Sequence, residues 1–227
     1  MKKHLFALSH LILLLIITSC EESKIETAQD IVNASITFHD PENKWKSLNA
    51  EFVFQSKFEF NDSVPEELHI NINVQNNNFR YTNLDRKVDI SYSQDSCIVN
   101  QGNTNCNSYA WTKNFYTYIW GLPMKLNDPG TTINPNFTLD TIQQIPVYNV
   151  SVPYHDENYQ FYFHQKTYEL KFFQFIKNNE TGHGEFITLS EIYEHNGIKF
   201  PKHKRWEQLS SRELIGTNEV LSIIKGK

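Results

Sequence analysis

Leu68-His69-Ile70-Asn71-Ile72-Asn73-Val74-Gln75 alternates an aliphatic residue with a polar one at every step. Successive side chains of an extended strand point to opposite faces, so this octet predicts a strand with one face buried and one face wet. Clean alternation of this kind marks an antiparallel sheet packed on one side, because strands covered on both faces read as continuous apolar runs. The pattern recurs upstream, where Phe52, Phe54, Phe58 and Phe60 oppose Glu51, Gln55, Lys57 and Glu59. Downstream, the turn cluster Gln75–Asn78 is followed by Phe79 and Tyr81, then by Val88, Ile90 and Tyr92. The short spacing of these runs predicts an antiparallel meander.

Two stretches change period. Thr27 stands as an N-cap with Asp30 three positions on, and Ala28, Ile31, Val32, Ser35 and Phe38 fall on one helical face before Asp40-Pro41 ends it. Over Asn107–Leu122, the residues Trp111, Phe115, Tyr118, Ile119 and Leu122 form a second helical stripe, with Gly121 and Pro123 as stop signals. Strands then return. Tyr148, Val150 and Val152 alternate, and Gln160–His164, Tyr168–Phe175, Glu185–Tyr193, Ile198–Phe200, Lys204–Leu209 and Glu219–Ile224 complete the set. Phe172-Phe173 breaks the alternation and suggests a bulge, and Asn196-Gly197 is a two-residue hairpin signal. No low-complexity linker or repeat interrupts residues 27–227, which read as one α+β domain. The expected architecture is a single curved antiparallel β-sheet packed on an N-terminal helix and a mid-chain helix, since each half-buried strand must cover its apolar face.

The N-terminus gives an address. Met1-Lys2-Lys3 and the apolar run Leu11–Ile17, too short to span a bilayer, read as a secretory signal over residues 1–19. Ile17-Thr18-Ser19-Cys20 resembles the lipobox of bacterial lipoproteins. That resemblance implies a lipidated Cys20, a short tether over residues 20–26, and membrane attachment through the acyl chains, each buried CH₂ contributing about 0.8 kcal/mol. Glu21-Glu22 resembles the acidic export signals that send some lipoproteins to the outer face of the outer membrane. The alternative is an ordinary secretory signal or an uncut signal anchor with Cys20 incidental.

Chemistry is sparse in the rest of the chain. A formal charge of −5 gives no electrostatic reason to bind nucleic acid. Cys97 and Cys106, flanking the polar loop Ile98–Asn105, are read first as a disulfide outside the cytoplasm, with two free thiols as the alternative. No nucleophile-elbow, zincin or phosphate-loop motif occurs, so no catalytic residue, metal site or cofactor is expected. His183-Gly184-Glu185 reads as a polar hairpin turn, and His155-Asp156-Glu157 as a solvated hairpin tip with a cation site as the alternative. The basic run Lys202–Arg205 reads as an exposed strand edge kept soluble by charge, or as a contact for anionic head groups. Aromatic residues make up 14% of the chain. Phe52, Phe54, Trp111, Phe115, Tyr118 and Trp120 either line a pocket for a hydrophobic ligand or fill a dry core.

Asn114-Phe115-Tyr116-Thr117-Tyr118, Gly121-Leu122-Pro123 and Leu126-Asn127-Asp128-Pro129 resemble the central signature of an uncharacterised family of bacterial lipoproteins. Asn196-Gly197-Ile198-Lys199-Phe200-Pro201, Trp206 and Leu214-Ile215-Gly216 extend that likeness over most of the chain. The order of elements also resembles the lipoprotein-localisation fold of LolA and LolB, in which an incomplete barrel around helices holds acyl chains. Together these imply a non-catalytic envelope lipoprotein with a hydrophobic ligand in a half-barrel. The alternatives are a surface lipoprotein with a protein partner or structural role, and a lipid or glycan hydrolase.

Overall fold

The computed structural model describes residues 25–59, 64–94, 96–154, 157–178 and 183–226. The signal, Cys20 and Phe60 therefore lie outside the described residues. Helix α1 (Ala28–His39) begins with a capping box: Thr27 Oγ1 accepts from Asp30 N–H at 3.3 Å while Asp30 Oδ2 accepts from Thr27 N–H at 2.8 Å. It buries Ala28, Ile31, Val32, Ser35 and His39. The chain then makes a single 3-10 turn over Trp45–Ser47, whose Lys44 and Trp45 amides donate to the buried Asp40 carboxylate at 2.7 and 2.8 Å.

Strands β1 (Asn49–Phe58), β2 (Glu66–Asn73), β3 (Asn78–Asn83), β4 (Val88–Ser93) and β5 (Ser96–Gln101) form the expected meander. Helix α2 (Asn107–Gly121) follows, then β6 (Phe137–Ile142), β7 (Ile145–Tyr154), β8 (Glu157–His164), β9 (Leu170–Asn178), β10 (His183–His195), β11 (Ile198–Gln208) and β12 (Leu214–Lys225). All twelve strands form one antiparallel sheet in the order β5-β4-β3-β2-β1-β12-β11-β10-β9-β8-β7-β6. The sheet is curved but not closed, the α+β incomplete barrel that the sequence implies. The last strand pairs with the first, Phe54 opposite Val220, which makes β5 and β6 the two free edges. The connection from β5 to β6 therefore has to cross the whole concave face, and this is what places α2 there.

Several local readings are corrected. Ser96–Gln101, which reads partly as a polar loop, is edge strand β5, and β6 was not foreseen; β5 only half-buries Cys97 and Val99 and β6 only its two ends, Phe137 and Ile142, so neither carries a run of fully buried apolar residues to read. Ile198–Phe200 and Lys204–Leu209 belong to one strand, β11. Pro201 is accommodated because β11 pairs with β12 only from His203 onward, so no partner needs its missing N–H. Lys202–Arg205 is thus not a sheet edge but part of an interior strand. His183-Gly184-Glu185 opens β10 instead of forming the turn before it. Phe172 and Phe173 alternate normally, Phe172 on the outer face and Phe173 in the core, and the extra residue of the irregularity between Tyr162 and Phe163 is Lys171. Gly121 is the last residue of α2, not a left-handed cap. A side chain there would meet Trp45 Cζ2 at 2.6 Å and Lys125 Cγ at 2.4 Å, so close approach is what requires glycine.

Candidate functional site

Helix α2 presents two aromatic faces to two different halves of the sheet. Tyr109, Tyr116 and Trp120 turn toward β1–β4, where Phe52, Phe54, Ile70, Ile72, Phe79 and Ile90 form a continuous buried cluster. Trp120, 1% exposed, stacks on Phe52 with ring centroids 4.8 Å apart and tilts against Phe54 at 5.3 Å. Three of the six aromatics singled out in the sequence, Phe52, Phe54 and Trp120, thus sit together in a filled core. The edge of this half is pinned to the helix start by a disulfide, Cys97 to Cys106.

The other three face a groove. Trp111, Phe115 and Tyr118, at helical spacing on the opposite side of α2, form one wall of an open cavity of about 850 Å³. The other wall comes from the ends of β7–β12: Tyr154, Tyr159, Phe175, Trp206 and Ile215, with Phe58 from the end of β1. Trp111 is 68% exposed and stacks on Phe115 at 4.6 Å, and Phe115 in turn lies 5.7 Å from Trp206. At the far wall Tyr154 meets Tyr159 edge-on at 5.2 Å, and Tyr159 stacks on Phe175 at 5.1 Å. The Tyr118 hydroxyl donates to that of Tyr154 across the groove at 3.3 Å. Sequence reading missed the strand residues of this wall because they are scattered over the second half of the chain. A signal was present: Tyr159 keeps phase with the buried Phe161, Phe175 with Phe173, and Tyr154 with Val152 and Val150.

The polar lining is sparse. Burial, then the neighbouring Tyr154, pushes the Tyr118 hydroxyl far above the usual phenol range, and burial followed by the Glu157 carboxylate does the same to Tyr159. Both stay protonated and neutral, as hydrogen-bonding groups and not bases. Glu157 and Glu185 line the strand side. His155 and Asp156 lie outside the described residues, and Glu157 is the member of that triplet found at the groove. The two ammonium groups of the lining face other partners, Lys113 the Tyr92 ring at 5.6 Å and Lys125 the Asp128 carboxylate. Among the described residues no group of three His, Cys, Asp or Glu side chains is placed to hold a metal ion, and no helix is long and apolar enough to cross a membrane.

A smaller concavity of about 250 Å³ lies on the outer face, between Glu51, His69, Asn71, Arg80, Thr82 and Leu84. It is a closed ionic array. His69 bridges Glu51 at 2.8 Å and Glu67 at 3.0 Å, and Arg80 holds Asp89 through Nε at 2.9 Å and through Nη2. Desolvation lowers the His69 pKa, but the two carboxylates outweigh it and the net shift is upward.

The fold has solved counterparts. A LolA superfamily protein from Nitrosomonas europaea superposes with a TM-score of 0.55 at 13% identity, over 89% of this chain and 94% of that one. A candidate outer membrane lipoprotein-sorting protein domain from Vibrio parahaemolyticus gives 0.52 at 6% identity, over 87% and 92%. At these identities the likeness is one of fold. Among curated proteins no relative matches the chain. One family model matches residues 3–108 and again 94–222, two overlapping segments that take in nearly the whole sequence, and the chain therefore belongs to a family of unknown function, DUF6503.

Proposed function

We propose that this protein is a non-catalytic lipoprotein of the cell envelope that holds a hydrophobic, acyl or lipid-like ligand between α2 and the strand ends of β7–β12. The observation that carries the reading is the groove: about 850 Å³, walled by aromatic side chains from both the helix and the sheet. Small-molecule sites are concave, mostly apolar and of this size, with few polar groups fixing orientation. The Tyr118 and Tyr159 hydroxyls are held neutral and suit binding better than proton transfer. The fold shared with a LolA superfamily protein supports the reading by analogy.

The anchor in this proposal is lipid on Cys20. Cys20 stands five positions before Ile25, which packs on the core of the second half, so at most roughly 17 Å of chain separates the lipid from the domain. Changing Cys20 to Ser should release the protein from membranes or leave an uncut precursor, and a mature protein without acyl mass would sink the anchor. Protease shaving of whole cells separates a surface-exposed from a periplasmic face. For the ligand, mass spectrometry of an organic extract of the purified protein is expected to show co-purifying lipid. A clean extract, together with no displacement of a fluorescent fatty acid, would leave a protein-partner reading, for which the exposed Trp111 at the groove rim is the natural anchor.

A further inference from the structure

Lys204 lies at the centre of the concave face and is only 2% exposed. Its neighbours in the basic run turn elsewhere: Lys202 reaches Glu191 and Glu219, His203 reaches Glu191, and Arg205 reaches Glu207. Lys204 alone enters the core, where its Nζ stands 3.0 Å over the Trp120 ring and makes no hydrogen bond. Trp120 Nε1 is a second buried donor with no acceptor. Asn218, opposite Lys204 on β12, is already used: it accepts from Trp206 Nε1 at 2.8 Å and donates to Ser56 Oγ at 3.1 Å. Burial pushes the amine well below the usual lysine range. Filling this space needs no nitrogen: an unbranched methionine would do it without an orphaned donor. Among the described residues neither of these two adjacent donors has an acceptor.

The place is next to the groove. Trp206 forms part of the groove wall and is two residues from Lys204 on β11, which puts both on the same face about 7 Å apart. Ile119, the neighbour of Trp120 on α2, lines the groove as well. The strand side of the groove carries Glu157 and Glu185, while its lysines are turned toward Tyr92 and Asp128. An anionic head group would therefore meet carboxylates there, and the lone amine only behind the wall formed by Trp206, since Lys204 and Trp120 do not themselves line the groove.

We propose that, when Phe115 and Trp206 part, the groove opens onto the buried donors behind its wall and takes there the carboxylate of a long-chain fatty acid, paired with Lys204 Nζ and Trp120 Nε1, with the chain running outward past Phe115 and Trp206 toward Tyr118 and Tyr159. This rests on the ligand reading above and adds the head group and its direction. The ammonium–carboxylate pair that forms carries no net charge, and the low-dielectric surroundings strengthen it. Entry requires Phe115 and Trp206 to part, a movement of two side chains already at the groove wall.

The test compares palmitic acid with hexadecanol, the same chain with and without the carboxyl group, by displacement of an uncharged fluorescent probe from the full-length protein stripped of lipid. Wild type should bind the acid about tenfold more tightly than the alcohol or better, and Lys204→Met should lose that preference while holding the alcohol within about threefold. Trp120→Phe, which keeps an aromatic side chain but removes Nε1 together with part of the indole, should lower the acid-over-alcohol ratio a few-fold, a ratio in which the lost volume is common to both compounds, and carries the test if Lys204→Met does not fold. Equal binding of acid and alcohol by wild type, or an undiminished acid preference in Lys204→Met, overturns this assignment and leaves the groove reading standing. If neither compound displaces the probe, the groove reading falls and this assignment falls with it.

Discussion

The two faces of α2 carry the same kind of side chain and meet opposite fates. On one, Tyr109, Tyr116 and Trp120 press into the sheet half β1–β5, with Trp120 fully packed and Tyr116 also bordering the groove. On the other, Trp111, Phe115 and Tyr118 look across open volume at β7–β12. The difference does not lie in the helix. It lies in how the two half-sheets meet it: the strands of the first half bring Phe52, Phe54 and Phe79 up against α2, whereas the second half spends much of its concave face on α1, through Ala28, Ile31 and Val32. One helix inserted there fills the space near it and leaves a groove where it meets α2. A helical aromatic stripe is therefore a core or a site according to what the sheet already covers.

The sharpest break in that comparison is Trp120→Ala. Truncating an indole stacked on Phe52 and buried to 1% exposure should cost about 3–5 kcal/mol, read as a lower urea midpoint. An effect below about 1 kcal/mol would mean that this half is not the filled one.

The next largest effect concerns the helix that occupies the second half. His39, at the end of α1, ties it to two strands: Nε2 accepts from Leu170 N–H at 3.2 Å, so Nδ1 carries the proton it donates to Lys199 O at 2.7 Å. Burial drives its pKa from 6.5 down to about 4. The folded state thus binds a proton less readily than the unfolded chain. The His39 contribution is complete above pH 6.5 and is lost as pH falls through about 4, for a total of about 3 kcal/mol. Unfolding midpoints across that window should fall more steeply for wild type than for His39→Gln, whose amide can make both bonds without titrating. Parallel slopes would refute the linkage.

Smaller still is the tie between α2 and the outer edge of the filled half. Cys97 and Cys106 close a short loop, so reduction, or a double change to serine, should cost about 2–3 kcal/mol on the chain-entropy account. Faster hydrogen exchange should appear in β5 and the first turn of α2, and not in β7–β9. Exchange that rises equally in both halves would show that the halves are more tightly coupled than their packing implies.

Much of this was legible in the sequence. The alternation of Leu68–Gln75 and of Phe52–Phe58 predicts strands with the correct inward face, and Thr27 with Asp30 predicts the start of α1. What escaped was whatever had no fully buried residue to announce it, as in β5 and β6, or whatever depended on contacts distant in sequence. Lys202–Arg205 reads as a charged edge by composition, yet on an interior strand Lys204 is buried in the core, while Lys202, two positions before it, is half-buried and reaches Glu191 and Glu219. Half of the groove was visible as the stripe Trp111, Phe115 and Tyr118. The other half needs the sheet order, since Tyr154, Tyr159, Phe175 and Trp206 converge only once β7–β11 stand side by side.

The smallest effect on stability is also the one that separates site from core. Trp111 has the same helical phase and chemistry as its neighbours, but at 68% exposure it covers Phe115 and contributes little buried area. Trp111→Ala should change the unfolding free energy by no more than about 0.5–1 kcal/mol. In the bound state the same indole would close the rim over a ligand lying against Phe115, so its loss should weaken displacement of a fluorescent fatty acid by roughly tenfold, the value of about 1.4 kcal/mol of binding. Trp120→Ala cannot give this result, because it alters the core first. If Trp111→Ala instead destabilises the protein as much as Trp120→Ala does, the two faces of α2 are equivalent and the groove is an unfilled part of the core. Unchanged affinity at unchanged stability would place the ligand deeper, past Phe115 and away from the rim.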